Sequence, residues 1–313
     1  MANRIVSLIA SGTEIVSALG FGDELVGRSH ECDFPESVES LPVCSAPRIN
    51  VHVSSLEIDQ QVQAAVRDAL SVYTVFVDRL DELSPTHIVT QSQCEVCAVS
   101  LNDVRDAVCR MVNSQPEIIA LEPMDLNDVY SDIVRTAEML GDRERGTRLV
   151  GTMQSRLDEI RAAAGREPTR PSIVCLEWLE PLMSAGNWVP ELVEIAGGRV
   201  LLGTAGVHSP YFSWEDLLRV DPDVIAILPC GFDIPRTNEE LHVVTRHPAW
   251  RELSAVRNGR VYVTDGNQYF NRPGPRIVES AEILFEILHC DTDEQRRFWK
   301  HHGSGWLRLD ECA

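Results

Sequence analysis

The stretch "DRLDELSPTHIV" (Asp78–Val89) has a near copy 137 residues on, "EDLLRVDPDVIA" (Glu215–Ala226). In each, an acid stands seven residues before a proline, and an apolar run follows the proline. The pattern is a short amphipathic helix stopped by the proline, then a buried strand. A second echo precedes it: "TEIVSALG" (Thr13–Gly20) matches "PELVEIAG" (Pro190–Gly197), each soon after another strand-like run. Two matches in the same order predict a duplicated architecture of two similar lobes. The separation falls from 177 residues at the first match to 137 at the second. The first lobe therefore carries about forty extra residues, within Cys32–Val77.

Outward from these echoes, short apolar runs alternate with amphipathic stretches. "RIVSLI", "ELVGRS", "THIVTQ" and "EIIALEP" read as strands of the first lobe, and "SIVCLEW", "DVIAIL" and "GRVYVTDG" as strands of the second. "LNDVRDAVCRMV", "LNDVYSDIVRTAEML" and "RIVESAEILFEILH" have helical spacing. Ser11 and Glu14 are spaced as a capping box, with Gly20 as a stop. Strand–helix alternation predicts an α/β fold: two doubly wound, Rossmann-like lobes with parallel sheets. An uninterrupted helical segment, 142–165, joins the N-terminal lobe (1–141) to the C-terminal lobe (171–290). The polar residues 291–313 read as a surface tail.

The chain has 313 residues, 44% of them apolar and 24% charged, enough for a sizeable core. A net charge of −20 opposes binding to nucleic acid or anionic membrane. No run approaches the length of a membrane span, so no membrane insertion is expected. The start, "MANRIVSLIASGTEIV", lacks the pattern of a secretory leader, and nine scattered cysteines suit a reducing compartment. Both point to a cytoplasmic protein. No phosphate-binding loop, nucleophile elbow or dinucleotide fingerprint is present, so no enzyme is expected and no catalytic residue is assigned.

The stretches Arg4–Pro35, "LDELSPTHIVTQ" (Leu80–Gln91), "NDVYSDIVRTAEMLG" (Asn127–Gly141), "SWEDLLRVDPDVIAILPCGFD" (Ser213–Asp233) and "WRELSAVRNGRVYVTDGNQYFNRPGPR" (Trp250–Arg276) carry a family resemblance. Together they resemble the cobalamin- and siderophore-binding substrate-binding proteins of ABC importers, of a leaderless cobalamin-binding kind. The resemblance covers roughly residues 4–290. It implies the helical-backbone periplasmic-binding-protein fold, with a largely pre-formed cleft between the lobes. It also implies a small-molecule ligand, a cobalamin-like corrinoid or related metal chelate, and an ABC permease as partner. Asp78 and Glu215 occupy matching places, one on each lobe, as the acids that would dock that permease.

Ligands of open α/β sheets sit beyond the carboxyl ends of the strands. There the first lobe offers Ser11, Gly12 and Thr13. The second offers an enrichment of aromatics in a chain only 6% aromatic: Trp178, Trp188, Tyr211, Phe212, Phe232, Tyr269 and Phe270. Flat rings suit a macrocycle. Trp188 and Tyr269, beside Gly and Asn, are expected to face the ligand. Arg272 and Arg276 are candidates for its polar edges, and His208 for the ligand or its metal.

"QSQCEVCAVS" places Cys94 and Cys97 three apart on another such loop. The echo sets Cys230 opposite Gln93, and His30 and Cys32 follow the second strand. Three readings stay open: a zinc or iron–sulfur site using His30, Cys32, Cys94 and Cys97, with Cys230 nearby; a redox pair; or thiols that line the cleft. The first makes the rival function a cytoplasmic metal-binding protein or enzyme. Cys109 and Cys175 read as buried.

Overall fold

Two regions with the same construction make up the computed structural model, which describes residues 2–68, 71–92, 101–290 and 300–312. One unit is Met1–Val53, Glu57–Pro123 and Asn127–Thr152; the other is Ser54–Leu56, Met124–Leu126 and Met153–Ala313.

In the first unit, strands β1 (Ile5–Ser7), β2 (Leu25–Arg28), β5 (His87–Gln91) and β6 (Glu117–Leu121) form a parallel sheet in the order β2-β1-β5-β6. Val6 lies opposite Ile88, and Ile88 opposite Ile118. β1 and β5 are buried along their whole length, as strands covered on both faces must be. Helices α1 (Ala10–Val16), α3 (Val77–Leu83) and α4 (Leu101–Arg110) lie in the crossovers, and α5 (Leu126–Met139) follows β6. The extra residues predicted within Cys32–Val77 form β3 (Ser45–Pro47) and β4 (Tyr73–Val75), an antiparallel pair, and the intervening α2 (Ser55–Arg67).

Helix α6 (Arg143–Ala164) is 22 residues long and contains the boundary between the units, at Thr152/Met153. The second unit is built on β7 (Ser172–Trp178), β10 (Val224–Ile227) and β11 (Val261–Thr264), parallel neighbours in the order β11-β10-β7. β7 also takes β8 (Met183–Ser184) antiparallel and β9 (Arg199–Val200) parallel. Around them lie α7 (Val189–Ile195), α8 (Trp214–Val220), α9 (Ile234–Glu240), the single turns α10 (His242–Thr245) and α11 (Ser254–Arg257), and α12 (Ile277–His289).

The echoes hold in backbone geometry. α3 ends at Ser84 (φ 45°) and α8 at Asp221 (φ 36°), both left-handed and both directly before the repeated proline. Gly20 (φ 79°) and Gly197 (φ 82°) are also left-handed, a conformation that a residue without Cβ adopts at little cost. Leu80 and Leu217, at matching places, are both fully buried.

Three expectations change. The Ser11/Glu14 capping box does not form, because the helix starts earlier, with Ile9 as its N-cap. Ser11 then lies inside the first turn, its hydroxyl buried and without a hydrogen-bond partner among the described residues. Cys109 is exposed rather than buried, while Cys175 is fully buried. The C-terminal residues are not all a surface tail: β12 (Trp306–Arg308) extends the second sheet antiparallel to β11. Trp306 is fully buried, its ring edge-on to Tyr262 at 5.5 Å. Its Nε1 donates to Glu286 Oε2 at 2.7 Å, and Glu286 also accepts from the Lys300 and His301 amides. A buried carboxylate with several donors is held in place, because losing one leaves charge unmatched.

Trp306→Ala is therefore expected to cost roughly 3–5 kcal/mol, seen as a lowered urea midpoint. Trp306→Phe should fall between it and the unaltered protein, since it keeps most of the apolar area.

Candidate functional site

Parallel strands send all their exit loops to one edge of the sheet. In the second unit those loops follow β7, β10 and β11. At the end of β7, Trp178 is half-buried and its Nε1 donates to the Ser55 carbonyl at 3.2 Å. Its ring packs on Phe232, centroid to centroid 5.2 Å, and Phe232 lies beneath the Arg236 guanidinium at 4.4 Å. After β11, Asp265 organises the turn, accepting from the Asn267 and Gln268 amides at 3.0 and 2.7 Å. Burial raises the Asp265 carboxyl above its ordinary pKa, and these amide donors oppose that shift. Asn271 Nδ2 ties this loop to the exit of β10 by donating to the Leu228 carbonyl at 3.2 Å. Tyr269 is half-buried, with the Arg276 guanidinium 5.5 Å from its ring centroid and the His301 ring edge-on at 6.1 Å. Arg276 also donates to Gln268 Oε1 at 2.6 Å. The loop before α8 is open: Tyr211 is 53% exposed and His208 is exposed. Phe212 is half-buried and packs on the core of this unit.

Several residues expected at a ligand surface are instead interior. Trp188 is 5% exposed, and its Nε1 donates to the Phe270 carbonyl at 2.7 Å. Phe270 is fully buried in a left-handed conformation (φ 63°), its amide held by Ser280 Oγ. Trp188 and Phe270 thus lock the loop after β11 to the start of α7. Neither presents a face outward, which corrects the expectation for Trp188. Phe232 and Arg272 are each 5% exposed; Arg272 donates to Asn267 Oδ1 at 3.0 Å. Both support the loop from beneath.

In the first unit, Ser11, Gly12 and Thr13 form the opening of α1 at the carboxyl end of β1, and all are buried. Thr13 Oγ1 donates to Cys32 Sγ at 2.9 Å, and the thiol contacts Ser29 Oγ at 3.4 Å. Burial pushes the Cys32 pKa up, so the thiol stays protonated and is a poor metal ligand. His30 Nδ1 pairs with Ser45 Oγ at 2.9 Å, and Nε2 is 3.7 Å from Glu31. Its pKa is lowered to about 4, first by burial and then by the Arg28 guanidinium. Cys94 and Cys97 lie outside the described residues, and Cys230 belongs to the second unit, half-buried after β10. Among the described residues no group of three or more His, Cys, Asp or Glu is arranged to hold a metal ion. Nothing here supports zinc or an iron–sulfur centre.

Asp78 and Glu215 are exposed, each the second residue of its helix, α3 and α8. Among the described residues, no helix is long and apolar enough to cross a membrane. The composition did not disclose the Ser55–Glu240–Arg236 group under Trp178. These residues are up to 185 positions apart and share no local motif.

A fold of two α/β units with a long helix between them in sequence defines a class of binding proteins. The chain belongs to the periplasmic binding protein family, whose model matches residues 5–268. It is 24% identical over 292 residues to the vitamin B12-binding protein of Vibrio cholerae, covering 92% of this chain and 89% of that protein. It is 21% identical over 297 residues to an ABC transporter substrate-binding lipoprotein of Bacillus subtilis, covering 92% and 81%. Among solved structures it resembles a periplasmic heme-binding protein from Pseudomonas aeruginosa, with TM-score 0.70, 20% identity and coverage of 94% and 95%. The fold is thus the helical-backbone one, and the protein is a binding protein, not an enzyme. The cytoplasmic expectation is overturned: the family is periplasmic, and the relatives include a lipoprotein. Free thiols do not require a reducing compartment when they are buried, as Cys32, Cys44, Cys175 and Cys290 are.

The His30 shift has a testable sign. Its folded pKa, about 4, lies below the ordinary 6.5. Its contribution to stability is complete above pH 6.5 and declines as pH falls towards 4. His30→Gln should flatten that part of the stability–pH curve, measured by urea unfolding from pH 7 to pH 4.

Proposed function

We propose that this protein is the substrate-binding component of an ABC importer, working outside the cytoplasm, and that its ligand is a cobalamin-like corrinoid or related metal chelate. The observation that carries the reading is the gathering of partly exposed rings, Trp178, Tyr211 and Tyr269, on loops around one sheet edge of the second unit. Rings give broad apolar contact with few rotatable bonds, which favours a flat macrocycle. The Arg276 guanidinium stacked on Tyr269 adds a cation for the carboxylate or amide edge of such a ligand. His208, exposed on the neighbouring loop, is suited to the ligand's metal or polar rim. The relatives support the ligand class: one is a vitamin B12-binding protein, and one structural neighbour a heme-binding protein.

Cyanocobalamin and hemin, titrated separately and followed by absorbance, test this directly. Saturable binding of one of them is expected, and indifference to both would count against a macrocyclic ligand. Tyr269→Ala should weaken binding by roughly tenfold or more, as loss of a central aromatic contact does.

We assign Asp78 and Glu215 to permease docking. Exposed acids at matching helix starts suit basic partners. Asp78→Arg with Glu215→Arg should leave ligand affinity unchanged but abolish stimulation of the cognate permease's ATPase. Full stimulation by the double variant would remove the assignment.

A further inference from the structure

Beneath Trp178 lies a closed set of contacts that ligand contact alone does not explain. Glu240, the last residue of α9, is 5% exposed. Its Oε2 accepts from both the amide and the hydroxyl of Ser55, at 3.3 and 3.1 Å. Its Oε1 accepts from Arg236 Nη2 at 3.1 Å, one helical turn earlier. Arg236 lies over the Phe232 ring, Phe232 packs on Trp178, and the Trp178 indole N–H returns to the Ser55 carbonyl at 3.2 Å. Trp178 is therefore held twice: its indole N–H by Ser55, and its ring by the tilted Phe232 ring. Both supports lead back to one buried carboxylate.

A buried carboxylate is costly unless its oxygens are matched by donors. Here the donors are groups that also set the pose of an aromatic ring. Resting on the macrocycle reading above, we infer that Glu240 is a positioning residue for ligand binding: it holds Trp178 in one orientation through Ser55 on one side and Arg236–Phe232 on the other. A ring fixed before the ligand arrives loses little freedom on binding, so affinity rests on the support as well as the contact. Glu240 need not touch the ligand.

The test is a double-mutant cycle with cyanocobalamin and hemin as separate probes. Glu240→Ala is expected to weaken binding roughly tenfold, and Glu240→Gln less, because the amide oxygen can still accept from Ser55. In a Trp178→Ala background, Glu240→Ala should cost nothing further. Additive losses, or unchanged affinity in Glu240→Ala, overturn the positioning role. If the unaltered protein binds neither probe, the macrocycle reading fails separately, and the support is judged without ligand. The part of the tryptophan emission that Trp178→Phe removes should shift to longer wavelength in Glu240→Ala and stay closer to its original position in Glu240→Gln. If that component does not move in Glu240→Ala, the inference is wrong.

Discussion

Two sheets with parallel cores, whose central strands are buried on both faces, constrain everything else in this protein. A parallel strand must be followed by a crossover before its neighbour can form. All exit loops therefore gather at one edge of each sheet, however far apart they are in sequence. β7, β10 and β11 bring Trp178, Phe232 and Tyr269 to one region of the second unit in this way. The central strands β1, β5, β7 and β10 are mostly buried. What they supply is a base on which polar loops are fixed by a few hydrogen bonds, such as the one Asp265 accepts from Gln268 and the one Asn271 donates to Leu228.

The repeat was legible in sequence because it rests on local rules. A proline that stops a helix, a glycine at a helix end and a buried leucine on the inner face each leave a signature within a few residues. Ser84 and Asp221 share a left-handed backbone, as do Gly20 and Gly197, so the echo reaches down to dihedral angles. The extra β3–α2–β4 segment was legible too, as a difference in spacing.

Long-range pairing was not legible. Trp188 and Tyr269 both stand beside glycine and asparagine, and their sequence neighbourhoods look alike. Only one of them has a carbonyl 82 residues away that turns it into a core residue. The C-terminal strand was missed for a related reason. β12 is three residues long in polar surroundings, and its order depends on Glu286 collecting donors from another segment. Glu240 has no sequence signal at all, being one acid among 48 Asp and Glu residues. The cysteine number, one of the two grounds for the cytoplasmic expectation, was a poor guide to compartment, because burial alone accounts for four of the thiols.

The central claim is that loops at the carboxyl edges of the strands take a macrocyclic metal chelate. Amide hydrogen exchange with and without cyanocobalamin, or hemin if that is the ligand bound, measures this directly. Slowed exchange is predicted in Trp178–Trp188, Leu228–Asp233 and Asp265–Arg272. Saturating ligand that leaves those segments unchanged, or protects only surfaces remote from the strand ends, would contradict the account.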